Sequence, residues 1–83
     1  MTEIKVKAWV IDKAEAEAKR YNTWIDIYSR DEDGTKIAID GYYTVRGEII
    51  KETEKAINVR LSTGDIVGSK KGWTIWMPKS QIA

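Results

Sequence analysis

The chain has 83 residues, enough for one small domain with a barely sufficient core, and its 42% apolar and 33% charged residues mark a globular protein. It contains no cysteine and no histidine, which excludes disulfide support and thiolate metal sites and removes both the commonest general base and the commonest metal ligand. The formal net charge of +1 is far from the balance of a dedicated nucleic-acid domain or an acidic DNA mimic, although the C-terminal half is mildly basic.

Four Trp and four Tyr with no Phe give a small core much area per residue, carried on rings with a polar handle. The segment Met1-Thr2-Glu3-Ile4-Lys5 has no charged-then-apolar signal pattern, and no apolar run approaches membrane-spanning length. A soluble, cytoplasmic, single domain over residues 1–83 is the expectation.

In chain order, Ile4, Ala8, Ile11, Ala14, Ala18 and Tyr21 recur at three- and four-residue steps, and Lys13 to Arg20 are mostly strong helix formers. This predicts a helix through most of 5–21. The alternation of Ile4, Val6, Ala8 and Val10 supports a competing reading, a strand over 4–11 with the helix capped at Asp12. Residues 23–29 fit strand by β-branched and aromatic content, or helix by continuation of the same face. Asp31 to Gly34 is a turn, residues 36–40 alternate briefly, and Gly41 breaks the pattern. A hairpin follows, Tyr42–Lys51 and Lys55–Leu61 about Glu52-Thr53-Glu54, with Ile57, Val59 and Leu61 on one face. Ser62-Thr63-Gly64-Asp65 turns the chain again, and Gly72 to Met77 supplies a further strand that Pro78 ends. Trp9 and Trp24 are expected to cover the helix–sheet seam, and one ring of Tyr42-Tyr43 to turn inward.

The predicted fold class is therefore α+β: an N-terminal amphipathic helix packed on a small antiparallel sheet or half-barrel, a meander of three or four strands.

Little in the chain suggests catalysis. Asp31, Glu32 and Asp33 sit in a turn, where solvated acids keep ordinary acidity, and they lack the spacing of a calcium loop. Gly68-Ser69-Lys70-Lys71-Gly72 lacks the Walker spacing and precedes a strand, so it reads as an ordinary connecting loop. No catalytic residue, metal site or cofactor is assigned.

The signal that remains is basic and aromatic. Trp73 and Trp76, three apart on a strand, face opposite sides, so one can be core while the other is exposed. An exposed ring beside Lys70, Lys71 and Lys79, with Arg46 and Arg60 on neighbouring strands, suits base stacking with phosphate contact. The same rings serve equally as anchors for a protein partner or a homodimer seam, or simply as core.

Lys51-Glu52-Thr53-Glu54-Lys55-Ala56, followed by Trp73 to Met77 and Pro78-Lys79-Ser80-Gln81-Ile82, resembles a pattern in small uncharacterised proteins of phages and prophages of Gram-positive bacteria. The resemblance covers mainly residues 41–82, with a looser likeness around Lys7 to Val10. It implies a small cytoplasmic protein carried on a mobile element, and it assigns no catalytic or binding residue. Physically, the hairpin tip is expected to set opposite charges across the strands, and Pro78 to start one helical turn. The functional expectation is a non-enzymatic binding module whose ligand is nucleic acid or, alternatively, a protein.

Overall fold

Strand β1 (Thr2–Lys7) opens the chain, and helix α1 (Ala8–Ala18) follows it directly. The structure is a computed structural model that describes residues 1–65 and 72–83. The helix expected through most of 5–21 is thus shorter at its start: residues 5–7 belong to a strand. Ile4 and Val6 point into the core while Glu3 and Lys5 point out. Pairing with residues 42–47 satisfies the inward backbone groups there and buries Ile4 and Val6, and local helix propensity yields to it. The helix does not wait for Asp12. The Ala8 N–H donates to the Gly41 carbonyl (2.9 Å), a main-chain substitute for a side-chain cap.

Val10, Ile11, Ala14 and Ala18 form the buried stripe of α1. The 3₁₀ turn Lys19–Tyr21 ends at Asn22 in the left-handed conformation. Short strand β2 (Thr23–Ile25) settles the next segment as extended, and Ile27 then bridges to Val45. Asp31 Oδ1 accepts from the N–H groups of Asp33 and Thr35 and closes the expected turn. Asp40 and Gly41, at φ +56° and +87°, form a two-residue hairpin between the bridged residues Ile39 and Tyr42.

The main sheet has the order β1-β3-β4-β6, with β3 (Tyr42–Glu52), β4 (Ala56–Leu61) and β6 (Trp73–Pro78) antiparallel in sequence. This is the expected meander with β1 added beside β3. The segment Ser62–Asp65, expected to turn, contains instead β5 (Thr63–Asp65), which pairs with β2. Gly64 permits this because the Trp24 indole lies over it; a Cβ there would come within 2.5 Å of the ring nitrogen. Trp24 therefore covers this small ribbon and not the helix–sheet seam.

Side chains from α1, from residues 25–27 and from the inner faces of all four main strands meet in one core, which includes Val6, Ile11, Ile25, Val45, Val59, Leu61 and Met77. Tyr43 turns inward and Tyr42 outward, as alternation requires. Beyond β6 a 3₁₀ turn, Lys79–Gln81, returns the chain to β1, where Ile82 bridges Val6 and the Ala83 N–H donates to Lys5 C=O (2.9 Å). Pro78 stands in extended conformation just before that turn and is not its first helical residue.

The hairpin tip departs from expectation. A register shift between Ile49 and Lys51 sets Lys51 opposite Asn58 and Glu52 opposite Ile57. No pair of opposite charges faces across the tip; Glu52 binds Lys79 instead (2.6 Å).

Candidate functional site

The sheet separates the residues that the sequence groups together. Trp73, Ile75 and Met77 of β6 lie on the inner face, with Met77 fully buried and the other two packed at the core margin. Trp73 also meets the Tyr21 ring, centroids 5.7 Å apart. Thr74 and Trp76 lie on the outer face, and Trp76 is 50% exposed. The two tryptophans do face opposite sides, so they cannot form one stacking platform.

Arg60 sits across β4 on the outer face, diagonal to Trp76, since Asn58 pairs with Trp76 and Arg60 with Thr74. Its guanidinium is engaged with Glu48 (3.0 Å), as the Lys79 ammonium is with Glu52. Arg46 lies further off, on β3, stacked over the Tyr28 ring at 4.5 Å. Lys70 and Lys71 lie outside the described residues. Among the described residues, then, the expected patch places Arg60 diagonal to Trp76 but leaves Lys79 beyond the far end of β6, opposite Lys55, and both cations already hold a carboxylate.

A different grouping is built by tertiary structure. A cleft of ≈ 260 Å³ separates α1 from β6, walled by Val10, Lys13 and Ala14 on the helix and Ile75, Trp76 and Pro78 on the strand, with Trp9 and Glu17 completing it. Helical spacing puts Trp9, Lys13 and Glu17 in one row along the wall, and the small Ala14 leaves the floor open. Trp9 is 53% exposed. Its indole N–H donates to Gln81 Oε1 (2.9 Å), which fixes the ring at the cleft mouth. Trp9 does stand at the helix–sheet seam, but as a rim with an open face. Sequence reasoning missed this role because nothing in the order of residues places Trp9 beside Trp76.

Other hollows among the described residues include one of ≈ 190 Å³ beside Arg60 and Gly72 and one of ≈ 270 Å³ beside Ile39 and Tyr42. Neither has a half-exposed tryptophan on each wall.

Among the described residues, the resolved shifts in acidity lie elsewhere, where α1 meets β3. The Lys36 ammonium is held above its ordinary range chiefly by its hydrogen bond to Glu15 (2.7 Å), with burial opposing. Burial pushes the Tyr43 phenol up, and the adjacent Asp12 carboxylate, which accepts its hydrogen bond at 3.2 Å, adds to this. Both are explained as packing at the helix–sheet contact. Among the described residues no group of His, Cys, Asp and Glu is arranged to hold a metal ion, and no helix is long and apolar enough to cross a membrane. Comparison with protein-family models, curated proteins and solved structures gives no match.

Proposed function

We propose that this chain is a non-enzymatic binding module that engages a protein partner through the cleft between α1 and β6, with Trp9 and Trp76 as anchors. One observation carries the reading: two half-exposed indoles stand on opposite walls of an apolar cleft. Leaving large rings in water forgoes roughly 25 cal/mol for each Å² of apolar area that burial would remove, and tryptophan is a preferred anchor at protein interfaces. The phage or prophage setting suggested by the hairpin and C-terminal motifs goes with a cytoplasmic protein of the host or of the element itself as that partner.

Nucleic acid is the second reading, favoured by the exposed Trp76 ring diagonal to Arg60, with Lys79 as a further cation beyond the end of the strand. It requires phosphate to replace Glu48 and Glu52 as their partners, a modest cost because exposed ion pairs contribute about 1 kcal/mol or less. Selection from a displayed random-peptide library decides between the two, alongside titration of oligonucleotides followed by tryptophan fluorescence at low salt. Apolar peptides that bind the wild type and not Trp76→Ala or Ala14→Arg support the protein reading. An oligonucleotide response that fades with salt, together with no enriched peptide, replaces it with the nucleic-acid one.

A further inference from the structure

Hydrogen-bond parity fixes which backbone groups of β6 are already engaged. The Lys79 N–H donates to Lys55 C=O (2.8 Å), and the register runs unbroken from Ala56↔Pro78 to Leu61↔Trp73. Bonded pairs alternate in an antiparallel ladder, so residues 73, 75 and 77 exchange their bonds with 61, 59 and 57. The other side of β4 agrees. The Ser62 N–H donates to Arg46 C=O (2.9 Å), so the even-numbered residues of this strand turn toward β3. The N–H and C=O groups of Thr74 and Trp76 therefore point away from β4, and no described residue pairs with them.

An apolar hollow alone does not specify its occupant. A row of outward amides does, because it is completed only by another extended backbone. β6 also lacks the devices that usually discourage such pairing: it has no charged side chain and no bulge, and its one proline is the last residue. The walls are held at both ends of the strand, by the Tyr21–Trp73 ring contact and by the Trp9–Gln81 hydrogen bond.

We propose that an extended segment of a partner protein adds to β6 as a fifth strand of the main sheet, lying between β6 and α1. This rests on the protein-binding reading above and specifies its mode. Alternate side chains of the segment turn inward over Val10, Ala14 and Ile75 and are apolar; the others lie on the outer face beside Trp76. β6 is six residues long, about 17 Å, a length that matches about five residues of added strand, the segment's outer half standing out of the cleft. A second copy of the chain is not the occupant, because its own β4 would follow its β6 by about 4.8 Å, into the wall that α1 forms.

The test uses a capped peptide alternating valine and threonine, titrated to on the order of 1 mM into the isotopically labelled full chain while amide resonances are followed. The amides of Thr74 and Trp76 shift and become protected from exchange, while those of Trp73, Ile75 and Met77, already bonded to β4, stay unchanged. The same peptide N-methylated on the edge-facing amides binds at least about ten-fold more weakly. Equal binding of the two peptides, or no change at Thr74 and Trp76, overturns strand addition; in that case peptides selected on the cleft and lost in Ala14→Arg still leave the broader reading standing. Light scattering at the same concentrations covers the other occupant: a doubled mass that Thr74→Pro returns to the monomer assigns the edge to a second copy and overturns the proposal.

Discussion

The two edges of the main sheet are finished in opposite ways. At β1 the chain's own C-terminal segment supplies a bridge at Val6 and a hydrogen bond to the Lys5 carbonyl, and the outer face carries Glu3, Lys5 and Lys7. At β6 the outward amides of Thr74 and Trp76 meet no described partner, and the strand has no charge at all. Both strands turn apolar side chains to the core, Ile4 and Val6 from β1 and Trp73, Ile75 and Met77 from β6. What differs is edge protection: one edge is covered by backbone and flanked by charge, while the other meets no partner among the described residues and ends at a proline. An edge without a described partner, beside an apolar cleft, is the surface proposed to bind a partner strand.

The largest expected effect separates the inner face of β6 from its outer one. Met77→Ala should cost about 2–5 kcal/mol in urea unfolding, because the side chain is fully buried. Trp76→Ala, one residue away on the outer face and half-exposed, should cost about 1–2 kcal/mol, less than Met77→Ala, while abolishing capture of the selected peptides. Comparable losses from the two would make Trp76 a core residue and remove it from the site.

Opening the closed edge is next. Ile82 is packed against the core and bridges Val6, so Ile82→Ala should cost about 1–2 kcal/mol and speed hydrogen exchange at β1, leaving β6 unaffected. A smaller effect on stability comes from giving β6 the protection that β1 has. Thr74→Lys places a charge on the outer face and should leave unfolding within about 0.5 kcal/mol of wild type. Peptide affinity should fall about ten-fold, and unchanged affinity would show that the edge is not used.

The smallest effect concerns Tyr43, which pairs with Val6 on the closed side, and its neighbour Lys36. Both groups hold their protons above their ordinary values of 10.0 and 10.5. The folded state thus binds protons more tightly than the unfolded one, so this stabilisation is complete below those values and is lost as pH rises through the folded ones. Unfolding midpoints should decline above about pH 10, and Tyr43→Phe should flatten part of that decline.

The candidate site was less legible than the fold. Alternation alone places Ile57, Val59 and Leu61 inside and sets Trp73 and Trp76 on opposite faces, because the period of a strand is a local property of the backbone. Arg60 and Trp76 are neighbours only through the β4–β6 register. The salt bridges of Arg60 and Lys79 depend on which strands adjoin, and the partner of Glu52 is 27 residues away.

What the sequence determined by itself was the α+β class, the β3–β4 hairpin, the strand ended by Pro78 and the inward placement of Ile11, Ala14 and Ala18 on α1, all of which follow from side-chain period and turn chemistry within a few residues. Tyr21, of the same period, is exposed. Only the tertiary structure decided that residues 2–7 pair as a strand, that Thr63–Asp65 joins Thr23–Ile25, and that Trp9 faces Trp76 across a cleft. Those outcomes depend on contacts between distant segments, where the gain from completing a shared core and a backbone ladder outweighs what each segment prefers alone.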